Sequence, residues 1–507
     1  MKNAALILNL GSHDLQVKKD NYEDMKKLFS DDNEMLKILG ESYGVVDNFS
    51  LFTEKLLNYY PDGLEYIDFP IIKASMEKVK NDLENDKLTE IIFVTTDQEH
   101  KKDTVNLGKI LLKIKNDREH EKLKKNIGFN ELKGTPKVKI WCINENPSDY
   151  DVMMKEYEYN LNNRLEGIEK LFIEITGGTP AMSTALLFNA TNQINIKVNP
   201  FYIDRKSKDA YNLTISESLR KADSKKQICL FIRDQNYKGA ETLIKDYASK
   251  YHISEKEQVN IVLNMIQAAS SRIEFDFDSA EKYIRKVKDY SPVSRSTCSM
   301  FQNYLRHLKD KNETYLLNEL KNNAVYKYNN GAYTDFLGRI FRIQEAIYSN
   351  ILLSKEVVID KGYGKLFLKE EALSETQMDK LNSAEIQSGI KLEYRDCELN
   401  IESMKKTLEI VLEDNSLELK LVNECSKLKS LKSLRNKSIL AHGYSGVSKE
   451  KINALIETEL DDVAIDKYLE NLVIKFTGIF NENLSDDNFY NKDGQFNSQL
   501  IKLVEEI

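Results

Sequence analysis

The passage Lys170-Leu171-Phe172-Ile173-Glu174-Ile175, followed at once by Thr176-Gly177-Gly178-Thr179-Pro180-Ala181-Met182, constrains the fold more than any other in the chain. A short apolar run that stops at two glycines reads as a buried strand entering a turn. Thr179 suits an N-cap and Pro180 the first helical position, so a helix is predicted from Pro180 through Asn189. The same grammar recurs. Ala4 to Leu8 is a buried strand ending in Asn9-Leu10-Gly11-Ser12, and Glu90 to Val94 is another, ending in Thr95-Thr96-Asp97-Gln98 with a helix from Asp103-Thr104 through Lys113. Lys137 to Ile143 alternates like a strand, and Ile196 to Ile203 supplies one more. Buried strands alternating with helices indicate a largely parallel α/β sheet. Open sheets of this kind bind ligands beyond the carboxyl ends of their strands, so the endings at Asn9, Thr95 and Thr176 are expected to line one crevice. The N–H groups of a strand-to-helix turn suit phosphates or other acceptors. Local chemistry alone also fits a tight, well-capped turn with no ligand, because the dinucleotide glycines and the P-loop lysine are both missing.

The rest of the chain reads as helical. Asp204 to Lys226 is polar and charge-rich, an exit from the sheet domain. Tyr237 to Ile244 and Phe277 to Ile284 each place an aromatic residue, a small Ala three positions on and an apolar residue four further, a loose helical-hairpin repeat. From Asn329 onward the pattern is again helical, with a less regular insertion over 355–387 and a polar turn region over 483–495. Tyr333, Phe336, Leu337, Ile340, Phe341 and Ile347 form one core stripe. Asp335 with Arg339, and Arg342 with Glu345, fall at the spacing of helix-surface pairs.

At 507 residues the chain has room for two or three domains. Lys and Arg total 73 against 81 Asp and Glu, a net charge of -8, which argues against a general nucleic-acid coat protein and confines any polyanion site to a local patch. Such a patch exists: between Lys420 and His442 the basic residues are Lys420, Lys427, Lys429, Lys432, Arg435 and Lys437, against Glu424 alone. The five cysteines form neither a Cys-x-x-Cys pair nor a disulfide framework, and the six histidines do not cluster with carboxylates at metal spacing, so no metal site is expected. The opening apolar run is too short for a signal-peptide core, and no run reaches membrane-spanning length. A reducing cytoplasm is the expected compartment.

The basic patch ends in Leu434-Arg435-Asn436-Lys437-Ser438-Ile439-Leu440-Ala441-His442-Gly443. Read as a continuous helix, the seven-residue step from Arg435 to His442 turns about 700°, so the guanidinium and the imidazole fall within about 20° of one face, together with Ser438. Gly443 then occupies the left-handed position past the helix end, with His442 in the last turn. A fixed cation beside a group that titrates near neutral pH suits phosphodiester cleavage without a metal. The alternative at this level is an amphipathic helix with a solvated Arg and a capping His.

Arg435, Asn436 and His442, with six residues between Arg and His, resemble the motif of the HEPN ribonucleases. The segment Tyr333, Asp335, Arg339, Arg342, Glu345 is similar to the helix that opens this domain in CRISPR-associated members. Strand, Thr-Gly-Gly-Thr-Pro-x-Met, helix resembles the ligand loop of CARF domains, the cyclic-oligoadenylate sensors of type III CRISPR systems. Asn9-Leu10-Gly11-Ser12 is similar to their first loop, and Thr95-Thr96-Asp97-Gln98 with Asp103-Thr104 to the middle one. Many CARF domains carry Lys where this chain has Pro180.

The two resemblances fall in the order of the CARF/HEPN ribonucleases. They imply an α/β Rossmann-like CARF sensor over 1–215, a helical connector over 216–328 and an all-α HEPN ribonuclease domain over 329–507. They further imply cyclic oligoadenylate, of four or six units, as an allosteric activator rather than a cofactor, held by Asn9, Gly11, Ser12, Thr95, Thr96, Gln98, Gly177, Gly178, Thr179 and Met182. Catalysis falls to Arg435, Asn436 and His442, acting on single-stranded RNA and leaving a 2',3'-cyclic phosphate. A homodimer is implied, and whether the sensor also cleaves its activator stays open at this level. Two other classes compete: a ligand-sensing regulator whose C-terminal domain only binds, and a nucleotide-dependent oxidoreductase or transferase.

Overall fold

The computed structural model describes residues 2–39, 46, 48–132, 134–193, 195–287, 292–362, 364–383, 398–440, 443–460, 463–485, 487 and 489–507. The chain divides into two compact units, Met1–Asp223 and Ser224–Ile507, and the division falls inside the helix Ile215–Arg233.

The first unit is built on a six-stranded sheet. Its strands are β1 (Asn3–Asn9), β2 (Lys87–Thr96), β3 (Lys137–Ile143), β4 (Lys170–Glu174), β5 (Lys197–Ile203) and β6 (Ala210–Asn212), in the spatial order β3-β2-β1-β4-β5-β6. The first five are mutually parallel, and β6 returns antiparallel along β5. The predicted parallel sheet is therefore present, with one strand the sequence reading did not foresee: β6 lies within the polar stretch taken as an exit. Its residues are half-exposed or exposed, and an edge strand of this kind carries no apolar signature.

Period-two alternation sends β1 to both faces. Ala4, Leu6 and Leu8 pack with Ile91, Phe93 and Phe172 in one core, while Ala5 and Ile7 pack with Ile92, Val94, Leu171 and Ile173 in the other. The second core is closed by Met153, Tyr157 and Leu161 of the helix Tyr150–Arg164 and by Ala181, Met182, Ala185 and Leu186 of the helix Pro180–Thr191. Strand order reverses beside β1, because β2 and β3 lie on one flank and β4 and β5 on the other. The loops that leave the carboxyl ends of β1 and β4 meet at that switch point, where open parallel sheets bind ligands.

Among the described residues the second unit is helical apart from one antiparallel pair, Val358–Asp360 with Leu366–Leu368, inside the stretch anticipated as an insertion. It holds two apolar clusters. One joins the helices Tyr237–Lys250, Glu257–Ile273, Phe277–Arg285 and Pro292–Lys309 to the last helix, Gln495–Glu506, through Phe496, Leu500, Leu503 and Val504. The other surrounds the long helix Tyr333–Ser354, which buries Phe336, Leu337, Ile340 and Ile347 as its stripe requires. Among the described residues, no helix is long and apolar enough to cross a membrane.

Arg272 lies at the centre of the first of these clusters and is 1% exposed. Its guanidinium makes two hydrogen bonds to Glu319, of 2.9 and 2.8 Å, and two to Asp487, of 2.5 and 3.3 Å. The rings of Phe489 and Tyr304 stand 4.3 and 4.5 Å from it. A polar chain leads outward: the Tyr490 hydroxyl donates to Glu319, Asn323 donates to Tyr490, and Arg339 donates to the Asn323 carbonyl. This corrects the expected Asp335–Arg339 side-chain pair. Arg339 meets only the Asp335 backbone oxygen, and the Asp335 carboxylate faces Lys327 at 3.6 Å. Arg342 and Glu345 pair as expected, at 2.5 Å.

Candidate functional sites

At the switch point the loops after β1 and β4 lie in contact. A Cβ on Gly177 would stand 1.8 Å from the Asn9 carbonyl oxygen, so the approach of the two loops requires glycine there. Gly178 has φ +74, and a Cβ on it would come within 3.0 Å of the Asn9 Cβ. Gly11 abuts the Gly178 nitrogen in the same way. Thr179 caps the following helix, accepting from the Met182 N–H at 3.2 Å, and Pro180 takes the first turn, as the sequence predicts. The N–H groups of Gly178 and Thr179 donate to no described residue. Asn9 is 1% exposed; its carbonyl oxygen Oδ1 accepts from the Tyr157 hydroxyl at 2.6 Å, while its amide nitrogen has no partner among the described residues. Asn9, Gly11, Gly177, Gly178, Thr179 and Met182 are thus brought together, with Ser12 on the rim.

Thr95, Thr96 and Gln98 end the neighbouring strand β2, and their polar groups are engaged within the chain. The Thr95 hydroxyl is directed at the Trp141 carbonyl, 3.5 Å away, Thr96 exchanges N–H to hydroxyl bonds with Thr104, and Gln98 donates to the Ile143 carbonyl at 3.0 Å. These groups brace the loop between β2 and the helix Val105–Asn116.

Two features of this site escaped the sequence reading. The first is a pair of buried acids beneath the loops. Asp14 accepts from the Gly11 N–H at 2.6 Å and Glu174 from the Thr176 N–H at 2.6 Å. Both are 1% exposed. Burial and then the Glu174 charge push Asp14 up to about 8, and burial pushes Glu174 up to about 7. Near neutral pH much of the pair is therefore uncharged, so it leaves the loops above it open to an anion. The second feature is a pair of cations, Arg205 and Lys102, with His13 beside them. Arg205 donates to the Thr176 carbonyl at 3.2 Å, and Lys102 and His13 line a cleft of about 480 Å³ together with Ser12, Leu15, Tyr22 and Phe49. Burial and the charges of Arg205, Lys208 and Lys102 hold the His13 imidazole below its usual range.

The second candidate site lies at the end of the helix Lys429–Asn436. The expected continuous helix to His442 is not formed. Its last residue is Asn436, because the Ser438 hydroxyl turns back on the Arg435 carbonyl at 2.6 Å and offers the backbone an alternative to another helical turn. Gly443 is not left-handed; it is glycine because a Cβ there would come within 2.1 Å of the Lys437 carbonyl oxygen. The chain folds back on itself, with Gly443 N–H bonded to the Ser438 carbonyl and Ser445 N–H to that of Lys437. His442 lies outside the described residues; the shared face expected for it and Arg435 required the helix to continue past Asn436.

Arg435 itself is well placed. Its guanidinium carbon stands 3.9 Å from the centre of the Phe341 ring, a cation–π contact from the helix Tyr333–Ser354. Among the described residues it has no carboxylate partner, and the same is true of Lys437, whereas Lys432 is held by Glu402 at 2.9 Å. Asn436 is exposed beside it. Among the described residues no group of three or more His, Cys, Asp or Glu could hold a metal ion.

Residues 305–463 match the family model described as "Csm6 HEPN domain", a span that contains both Phe341 and Arg435. No curated protein matches the chain. Among solved structures, Enterococcus italicus Csm6 bound to cyclic hexa-2'-fluoro-hexa-dAMP is similar with a TM-score of 0.52 and 15% identity, covering 99% of this chain and 100% of that one. Residues 305–463 are thus similar to a Csm6 HEPN domain, and the chain as a whole shares the fold of that solved structure.

Proposed function

We propose that the chain is an endoribonuclease for single-stranded RNA that is activated by cyclic oligoadenylate. The observation that carries this reading is Arg435: a guanidinium packed on Phe341 and free of carboxylates among the described residues, within the span that matches the Csm6 HEPN model. A buried or half-buried cation left without an anion is poised for one, and a phosphodiester fits a planar guanidinium.

In this mechanism the substrate's own 2'-hydroxyl oxygen bonds to the adjacent phosphorus as the bond to the 5'-oxygen breaks. The 2'-hydroxyl loses its proton, the 5'-oxygen gains one, and a 2',3'-cyclic phosphate and a 5'-hydroxyl remain. Arg435 neutralises charge developing on the phosphate oxygens, His442 moves a proton near neutral pH, and Asn436 orients the site. No step requires a metal. The activator binds across the loops after β1 and β4, as the Enterococcus italicus relative's ligand suggests, and a ring of identical units favours two chains about a two-fold axis, so the active form is a homodimer.

The test is cleavage of a labelled single-stranded RNA by the purified protein with and without cyclic tetra- or hexaadenylate. Activity is expected with activator, in EDTA, and is expected to fall at least about 10³-fold in Arg435→Ala and in His442→Ala while ligand affinity is retained. Unchanged cleavage in either variant would remove that residue from the site, and a strict need for a divalent ion would rule out the mechanism.

A further inference from the structure

The strand-end crevice, on the reading above, takes a ligand with one negative charge per phosphodiester, yet at the helix N-terminus that faces it this chain has Pro180, which offers neither charge nor an N–H. A backbone cradle is present in the Gly178 and Thr179 N–H groups and the unpartnered amide of Asn9. None of these carries a full charge.

Positive charge stands on the opposite flank of β4. Strand β5 runs beside β4 to its end, where the Ile203 N–H donates to the Thr176 hydroxyl at 2.7 Å and the Ile175 N–H to the Phe201 carbonyl at 3.2 Å. The turn after β5 is thereby fastened beside the Thr176-Gly177-Gly178 loop. That turn is tightly made: Asp204 accepts from the N–H groups of Lys206 and Ser207, both at 2.8 Å, and Lys208 is held at φ +63, a conformation unfavourable for lysine. It presents Arg205, exposed, with one N–H on the Thr176 carbonyl and its other donors uncommitted among the described residues. Lys208 follows, its ammonium on the Arg205 carbonyl. Neither has a carboxylate partner among the described residues, while their charges reach His13, Asp14 and, for Arg205, Glu174.

We propose that Arg205, with Lys208 beside it, contacts the phosphodiester groups of the ligand held by the loops after β1 and β4, and so supplies the cation that Pro180 does not. This rests on the reading of that crevice as the cyclic-oligoadenylate site. A guanidinium matches a phosphate through paired N–H donors, which an ammonium cannot do, so Arg205 also sets the preference for a phosphodiester at a defined place on the ring.

The test uses the full-length protein, cyclic tetra- and hexaadenylate as probes, and calorimetry at several salt concentrations, with Arg205→Ala, Arg205→Lys, Arg205→Glu and Gly178→Val. Arg205→Ala is expected to weaken binding about 10-fold or more, Arg205→Glu more strongly and Arg205→Lys least. The plot of log affinity against log salt should flatten by roughly 0.7 for the lost phosphate contact. Wild-type affinity in Arg205→Glu beside a loss in Gly178→Val would overturn the inference and leave the site in place. Weakened binding with an unchanged salt slope would also overturn it, since Arg205 would then act only through the Thr176 carbonyl. If neither ring binds the wild-type protein, both the reading of the crevice and the inference fall.

Discussion

In the sheet unit Asp14 and Glu174 are buried near one another with backbone N–H groups as their hydrogen-bond donors. In the helical unit Glu319 and Asp487 are buried to a similar degree, but Arg272 lies between them with two hydrogen bonds to each. Both arrangements withdraw two carboxyl groups from water, and they resolve the cost in different ways. Without a cation in contact, the first pair rises to about 8 and about 7 and becomes protonatable near neutrality. With one, burial still raises Glu319, Arg272 opposes that rise, and the Arg272 guanidinium is held firmly in its charged form. A buried ion network of this kind is rigid and intolerant of losing a member. A buried acid pair under a loop is instead responsive to pH and to charge arriving above it.

Each side of this comparison can be broken separately, because the chain's single tryptophan, Trp141, is buried in the sheet unit and its fluorescence follows that unit alone. The largest effect is expected in the helical unit. Arg272→Met leaves Glu319 and Asp487 buried without compensation and should cost about 3 to 5 kcal/mol, read as an ellipticity transition that moves to lower denaturant while the Trp141 transition stays in place. Coincident shifts of both would show that the two regions do not respond independently.

Next is Gly177→Ala. Its Cβ would collide with the Asn9 carbonyl and stand 3.0 Å from the Asp14 carboxylate, so the loop over the acid pair must move. A loss of roughly 2 kcal/mol or more is expected in the Trp141 transition. Wild-type stability would mean that the loops are less tightly joined than these distances require.

The third prediction is pH dependence. Because the folded pKa values of Asp14 and Glu174 lie above those of the unfolded chain, the native state holds more protons between them. The contribution of this pair to the stability of the sheet unit is therefore full below about pH 4, where both groups are protonated folded or unfolded, falls as pH rises from there through about 7 and about 8, and levels off above. Each proton contributes a slope of up to about 1.4 kcal/mol per pH unit. Asp14→Asn together with Glu174→Gln should flatten the Trp141 transition against pH, and an identical slope in this double variant would disprove the assignment.

The smallest effect is expected for Tyr490→Phe, which removes one donor from Glu319 while both Arg272 bonds remain. About 1 kcal/mol should be lost from the ellipticity transition. A loss as large as that of Arg272→Met would make the tyrosine, rather than the guanidinium, the residue that holds the network.

Much of the sheet was legible because its signals are local. The apolar runs at Ala4, Glu90 and Lys170, their abrupt polar endings and the Thr179-Pro180 cap each lie within a few residues of what they determine. The joining of the Asn9 and Gly177 loops followed from topology, since strands that share a sheet and a direction also share an end. The core stripe of the helix Tyr333–Ser354 was equally plain. The helix stop at Asn436 was not, although Ser438 stands in the sequence. A serine inside a helical pattern only sometimes bonds back to the carbonyl three residues before it, and the close pass of Gly443 against Lys437 is needed to decide the matter.

What the sequence by itself determined is the class of the two units, the parallel order implied by strand–helix alternation, and the residue types offered at the strand ends and at Arg435. Tertiary structure alone decided which charges meet. Arg272 finds Glu319 and Asp487 across separations of 47 and 215 positions, Arg205 reaches Thr176 across 29, and Arg435 gains Phe341 as its platform. Local propensity and periodicity act over a few residues, whereas the energy of a buried charge depends on every group packed around it. Those groups are chosen by the fold.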